Sequence, residues 1–380
     1  MIFNIVDKYY PILMPILRII TYDSPGLLND ATIYKNIFRR NHFHVLILKW
    51  GDEQKYYKKE RFADVNLFLE TIGLPNKIYD IKKIYPSKIN LFMPNHELFT
   101  LNEKLKYIDF VLCKTRAAME MFTHIKNNQK YLYECIYTKF TTFIPSEFRI
   151  NDKQIKKNAN LFVQFAGKSP YKNTDILVYT WIKYNGFLDI DPDIKLVITC
   201  YKSCYNKLII GLKDKFNYDL LLENTLEHPD KYVYKNLVLY TSPATEYLEL
   251  LQTANVAICI SKKEGFGHYI NEARYFGTYI ITVDYPPMNE LVSDGVNGKL
   301  IGNLSKNLNN YIAKHTGYQL YDVSPDIDSL AESIIYCIKN KTKLGQHTWE
   351  NRKLFFSDMR YFENTINHFI DTKIMPRLKN

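Results

Sequence analysis

Two glutamates, Glu264 and Glu272, stand eight positions apart in a 380-residue chain, and Gly265-Phe266-Gly267 follows the first of them. Glycines at 265 and 267 let a loop backbone approach a bound group and turn its N–H donors toward it. A helix starting behind such a loop adds the positive end of its dipole, and the ligand this favours is an anion. A carboxylate beside a phosphate site repels the phosphate but accepts hydrogen bonds from hydroxyls attached to it. Glu264 at a strand end, with Glu272 more than a turn into the helix, therefore suits a sugar nucleotide better than ATP.

The neighbouring residues supply the elements this arrangement needs. Asn255–Ser261 is short and apolar enough for a buried strand. Residues 268–276 have helical spacing, with Tyr269, Ala273 and Phe276 on one side, and Gly277 sits where a left-handed stop is expected. Tyr279–Val283 reads as a second strand. Strand, glycine loop, helix and strand make a βαβ unit, whose ligands lie at the C-terminal strand ends. Neither the glutamate pair nor the Gly-x-Gly loop is specific alone; their order is.

The stretch resembles the donor-binding signature of the retaining, GT-B-fold glycosyltransferases (glycosyltransferase family four, also called group one). The matching residues are Glu264-Gly265-Phe266-Gly267, Glu272-Ala273, Gly277, Asp284, Glu290-Leu291-Val292 and Asp294-Gly295-Val296-Asn297-Gly298. Tyr247–Val256 follows the helix pattern that precedes this signature, with Asn255 where Asp is usual. The family also places a basic residue just after a glycine and a Lys four positions later, both against the donor diphosphate. Gly167, Lys168 and Lys172 match, following the strand Leu161–Ala166 and preceding a helix over Asp175–Tyr184. Cations there stabilise the negative charge that grows on a departing nucleoside diphosphate. Lys168 replaces the usual Arg, keeping the charge and losing the planar fork. The resemblance is specific over about 161–302 and architectural over 1–150.

It implies an α/β chain of GT-B architecture, two doubly wound Rossmann-like domains facing across a cleft. The expected acceptor-side domain is 1–150 and the donor domain 151–349, with a C-terminal helix at about 350–380 rejoining the first. In the N-terminal part, strands are expected at Ile16–Tyr22, His44–Leu48, Val65–Leu69, Ile89–Met93 and Ile108–Cys113. Helices are expected at Asp30–Arg40, capped by Asn29 or Asp30, and at Thr115–Lys126. The family often has Gly-Gly after the first strand; here Asp23–Asn29 contains only Gly26, a candidate acceptor contact. Asn95 and His96 follow the Ile89–Met93 strand, where a neutral imidazole could hydrogen-bond a donor hydroxyl or stand in an ordinary exposed loop. Ile144–Lys157 reads as the linker. Further strands are expected at Lys195–Thr199 and Leu237–Tyr240, with a polar excursion at Asp214–Asp230 and a helix at Glu246–Thr253. The strand ends Thr199–Lys202 and Thr241–Pro243 should border the base. Ser324–Asn340 and Thr348–Ile374 read as helices, and Phe355, Phe356, Tyr361, Phe362 and Phe369 could dock the last one on the N-terminal domain.

Composition narrows the rest. The chain carries 50 Lys and Arg against 40 Asp and Glu, a net charge of +10, spread along its length. Solvated lysine faces account for this, and it leaves room for a peripheral membrane contact. No zinc-finger or RRM pattern occurs, which disfavours nucleic acid. Six irregularly spaced cysteines fit reduced thiols in a cytoplasmic protein. The apolar opening Tyr10–Tyr22 is too short to span a bilayer and lacks signal-peptide features. Abundant Lys, Asn, Ile and Tyr suggest an AT-rich microbe or large virus. Asp189-Ile190-Asp191-Pro192-Asp193 reads as a solvated turn.

The resemblance implies a transferase that moves a sugar from a UDP- or GDP-sugar co-substrate, without cofactor or metal, and retains the anomeric configuration. Glu264, Lys172 and Lys168 would be the catalytic groups. Gly265, Phe266, Gly267, Glu272 and Gly167 would bind the donor, and His96, Asn95 and Gly26 would touch sugar or acceptor. The acceptor could be a glycan, lipid, protein or small molecule. Two other readings are a catalytically silent sugar-nucleotide binder or scaffold, and a basic binder of anionic surfaces or nucleic acid.

Overall fold

The computed structural model describes residues 14–50, 62–73, 84–148, 155–220, 223–225, 228–241, 247–346 and 348–379. Parts of the expected opening segment (10–13), linker (149–154), base-bordering strand end (242 and 243) and helix start (246) lie outside the described residues.

Among the described residues, six strands form the first sheet: β1 (Ile16–Thr21), β2 (His44–Lys49), β3 (Ala63–Leu69), β4 (Ser87–Met93), β5 (Phe110–Cys113) and β6 (Glu134–Tyr137). All pairs are parallel, in the order β2-β1-β3-β4-β5-β6. Near-continuous apolar strands such as β5, buried at all positions, are what a sheet covered on both faces requires. The edge strand β6, only half-buried along its length, carries no such run and was not expected. Helix α1 (Pro25–Arg40) begins earlier than its expected cap at Asn29 or Asp30. Ser24 is extended and Pro25 opens the first turn, where a missing N–H costs nothing. Asp30 thus lies inside the helix rather than capping it. Helix α2 (Arg116–Gln129) follows β5 and is capped by the Thr115 side chain.

The second sheet begins with β7 (Asn158–Gly167), α3 (Thr174–Lys183), β8 (Lys195–Cys200) and α4 (Lys202–Phe216). The expected polar excursion holds the end of α4 and two strands, β9 (Glu223–Thr225) and β10 (His228–Tyr234), which pair antiparallel beside β11 (Leu237–Tyr240). β9 is the outermost strand of the sheet on this side. Next come α5 (Tyr247–Thr253), β12 (Ala254–Cys259), α6 (His268–Phe276), β13 (Tyr279–Val283), α7 (Met288–Leu291) and β14 (Gly298–Ile301). The order is β14-β13-β12-β7-β8-β11-β10-β9. Gly277 ends α6 with φ of 70°. Asp191 is not solvated as expected: it is largely buried and accepts from Lys341 Nζ at 2.6 Å.

A hairpin, β15 (Asn303–Leu308) and β16 (Tyr321–Pro325), encloses the short α8 (Asn310–Thr316). Ile312 and Leu320 of this excursion join the buried cluster formed by Phe92, Phe99, Met121 and Phe122 of the first sheet's layer. Helices α9 (Ile327–Lys339) and α10 (Lys341–Gln346) lead to α11 (Thr348–Phe369), a π-helical turn at Ile370–Ile374 and α12 (Met375–Lys379). Helix α11 braces both halves. Phe355 and Phe356 pack on Tyr275 of α6, with centroids 5.4 and 5.8 Å away. Phe362 packs on Tyr34 and Phe140, Phe369 on Phe110 and Tyr361 on Tyr137. All six cysteines are free, and among the described residues no helix is long and apolar enough to cross a membrane.

Phe362 is fully buried at this brace. Phe362→Ala is expected to lower stability by about 3–5 kcal/mol, read from thermal or denaturant unfolding. Leu132→Ala, at a position 97% exposed, should move it by less than about 0.5 kcal/mol.

Candidate active site

The C-terminal ends of both sheets border one cavity of about 600 Å³. From the second half it is lined by Gly167, Lys168, Lys172, Tyr201, Tyr247 and the run Glu264–Tyr269 with Glu272. From the first half come Gly26, Asp30, Glu70, Asn95, Glu97 and Lys114. Every candidate residue from the sequence except His96 therefore borders the same space.

Gly265 and Gly267 act differently in the loop after β12. Gly267 has φ of +95° and starts α6 in a left-handed conformation that side chains disfavour. At Gly265 the reason is proximity: a Cβ would meet Asn95 Oδ1 and both Glu97 carboxyl oxygens at 2.8 Å. The missing side chain lets the two halves touch at the cavity. Phe266 borders the cavity with its ring packed on Phe140 and His268, both at 5.3 Å.

Two of the charged groups, Lys172 and Glu264, pair directly. Lys172 is bonded to Glu264 and lies 3.7 Å over the Tyr269 ring. Glu264 also accepts from Ser261 Oγ at 2.6 Å. Both side chains are only 14% exposed, and charges so enclosed need partners. Lys168 is more open and sits 4.7 Å over the Tyr201 ring. Glu272 is buried and accepts from Tyr247 OH at 3.4 Å; burial raises its carboxyl pKa above the ordinary value.

On the facing wall, one turn of 3-10 helix at His96–Leu98 follows β4. It puts Asn95 and Glu97 against the cavity and His96 inside the domain. His96 is neither an exposed loop residue nor part of the lining. Neither ring nitrogen has a hydrogen-bond partner among the described residues, and burial with nearby Lys114 lowers its pKa to about 4. A Cβ at Gly26 would meet nothing within 4 Å, so its place on the rim needs no glycine.

Behind the wall lies a network that motif reading missed. Lys114 Nζ donates to Asp30 Oδ2 at 2.9 Å and to Asn95 Oδ1 at 2.6 Å. Asp30 Oδ1 is 2.8 Å from His268 Nε2, and Thr142 Oγ1 is 2.9 Å from His268 Nδ1. Asp30 and Lys114 are 1% and 3% exposed. Burial works to raise the Asp30 pKa, but Lys114 and His268 together hold it below the ordinary value. In the sequence Asp30 reads only as a candidate helix cap, and nothing there links it to Lys114 or His268. A second tie joins the halves where Glu290 accepts from Arg116 N at 2.7 Å and Ala117 N at 2.9 Å, completing the start of α2. Burial raises the Glu290 pKa despite those bonds.

The two facing parallel α/β layers have GT-B architecture, with a glycine loop, acids and lysines in the cleft. Residues 146–316 match the family described as "Glycosyl transferases group 1". The match in sequence covers those residues, and the likeness in fold extends over nearly the whole chain. Among solved structures, a glycosyltransferase from Rickettsia africae ESF-5 is similar with a TM-score of 0.65 at 11% identity, covering 96% of this chain and 99% of that one. HepE (Alr3699) of Anabaena, solved with UDP and glucose, gives 0.60 at 15% identity over 94% and 100%. Sucrose-phosphate synthase from Thermosynechococcus elongatus gives 0.60 at 12% identity over 94% and 98%. At such identities the likeness is one of fold. No curated protein matches the sequence.

Two outcomes follow from the charges. Asp30→Ala strands Lys114 as a buried cation and should cost about 3–5 kcal/mol. The double change Asp30→Leu with Lys114→Met should recover most of that in a melting experiment. Glu97 is pushed up to about 8, mainly by burial. Between its ordinary value of 4.5 and about 8, the unfolded chain releases a proton that the fold retains, so stability falls as pH rises through that window. Glu97→Gln removes this term, and its melting temperature should gain on wild type progressively from pH 5 to pH 8.

Proposed function

We propose that the protein transfers a sugar from a nucleotide-sugar donor to an acceptor hydroxyl, retaining the configuration at the anomeric carbon. The observation that carries this reading is the meeting of Lys168, Lys172, the Gly265–Gly267 loop, Glu264 and Glu272 around one cavity. The lysines and the start of α6 would receive the diphosphate, and Glu264 and Glu272 would accept hydrogen bonds from sugar or ribose hydroxyls. As the C1–O bond to the diphosphate breaks, charge grows on the leaving oxygen, and the lysines stabilise it more than the ground state. The acceptor oxygen bonds to C1 from the same face and its proton passes to the departing phosphate. No step assigns a covalent role to Glu264.

The electrostatics support a division of labour in which phosphate competes with Glu264 for Lys172. With two lysines and helix-terminal amides at the phosphates, no divalent ion is called on. The UDP seen with HepE makes UDP-sugars the first donors to try, with GDP-sugars next. The polar groups Asn95 and Glu70 on the first half would border sugar and acceptor.

A panel of UDP- and GDP-sugars, read by thermal shift and slow donor hydrolysis, tests this. One donor class should raise the melting temperature of the wild type. Lys172→Ala should remove most of that shift, a loss of about tenfold or more in affinity. Glu264→Ala should keep nucleoside diphosphate binding while hydrolysis drops about 100-fold, by analogy with removing one charge-stabilising group. A wild type protected by no nucleotide or nucleotide sugar would end the proposal.

A further inference from the structure

Glu97 is a buried acid in the cavity wall. It lies in the short turn after β4, lines the cavity, and both its oxygens are 2.8 Å from where a Cβ at position 265 would stand. Its side chain is 10% exposed, and Oε2 is buried with no hydrogen-bond partner among the described residues. An unpaired carboxylate in such a wall would carry a large desolvation cost. A neutral carboxyl carries far less and has an O–H to give.

We infer that Glu97 is a protonated carboxylic acid that donates a hydrogen bond to a hydroxyl of the transferred sugar, across the cavity from Glu264. This rests on the donor-site reading above. The sugar, rather than the nucleotide or the acceptor, is the partner because the Glu97 carboxyl reaches the side of Gly265 that faces the first half, beside where the sugar next to the phosphates would lie. The two acids then play opposite parts. Glu264, bonded to Lys172 and Ser261, is an acceptor. Glu97 is a donor, and an alternating donor and acceptor pair discriminates between hydroxyl positions better than two acceptors do.

The surroundings keep the proton on. Lys114 from the end of β5 favours ionisation, whereas Glu264 from the glycine loop and Glu70 from the end of β3 oppose it; the backbone amide of Glu97 also favours the charged form. His96 Nδ1 lies 4.0 Å from Oε2 and is a neutral imidazole at ordinary pH. Burial outweighs the rest and lifts the pKa to about 8. Activity should therefore fall as pH rises through about 8, because the ionised form can only accept.

The test compares wild type, Glu97→Gln and Glu97→Ala with UDP and UDP-glucose (or GDP and GDP-mannose, if guanine is preferred). Thermal shift by the nucleoside diphosphate alone should be the same in all three. Donor hydrolysis at pH 7 should fall about tenfold in Glu97→Ala, the worth of one such hydrogen bond. Glu97→Gln, whose amide still donates, should stay within about threefold. The wild-type rate should decline above pH 8 while the Gln variant stays level to pH 9. Equal impairment of Gln and Ala, or a decline above pH 8 that persists in Glu97→Gln, overturns the assignment. The Gln variant is isosteric and uncharged, so the comparison survives if Glu97→Ala misfolds. If the wild type binds neither nucleoside diphosphate, the donor-site reading fails and the inference with it. If it binds but the variants do not separate, only the inference fails.

Discussion

One buried ammonium group sets the geometry of the cleft. Lys114 sits at the end of β5 between the Asp30 carboxylate and the Asn95 amide, nearly out of contact with water. Removing a cation and an anion from water costs several kcal/mol per ion, and only close, fully bonded geometry offsets this. Asp30 supplies that geometry by using its second oxygen on His268, the first residue of α6. The glycine loop ends at that residue. The charge pair therefore ties the loop of one half to the sheet edge of the other, and the position of Gly265 against Asn95 and Glu97 depends on it.

The network also explains why the cavity wall is rich in acids without being strongly anionic. Asp30 is held ionised by its partners, whereas Glu97, close by, is held neutral by burial. Two carboxyl groups of the same small region so end up in opposite protonation states, decided by whether a cation is within bonding distance. Lys114 bonds Asp30 and reaches Glu97 only at longer range. On the opposite wall Glu264 is neutralised by Lys172 instead. A ligand entering between them meets paired charges and neutral donors. Phosphate oxygens can compete for Lys172, and hydroxyls can take what the phosphate releases.

How much of this could be read from residues alone depends on whether the signal was local. Strand, loop and helix around Glu264 lie within one βαβ unit, so periodicity and glycine placement located them, and α6 and β13 have the bounds expected. Lys168 and Lys172 sit about 90 residues upstream, and only a family pattern connected them to the loop. In the first half no such pattern guided the choice. His96 looked the more chemical residue beside Glu97, yet a three-residue turn rotates the imidazole inward and the carboxyl toward the cavity. Asn29 and Asp30 both have the side chains of a helix cap, and Pro25 overrides them by starting the helix sooner. Lys114 carried no local signal, since its importance lies in a partner 84 positions away. Edge elements such as β6 and β9 were missed because strands with an open side need no apolar run.

The contacts between the halves fall into two chemical kinds, and the difference bears on how a ligand enters. Along α11, Phe362 and Phe369 bury aromatic surface against Tyr34, Phe140 and Phe110. Parting these would expose apolar area at about 25 cal/mol per Å² with nothing to replace it. Around the cavity polar ties stand beside one ring contact, Phe266 on Phe140: Glu290 to the start of α2, and His268 to Asp30 and Thr142. Water can substitute for most of those bonds when they open, so their net cost is about 0.5–1.5 kcal/mol each. Motion between domains joined by polar contacts is the ordinary case. A cleft that opens by exchanging polar contacts for water while the aromatic brace stays shut admits its ligand cheaply.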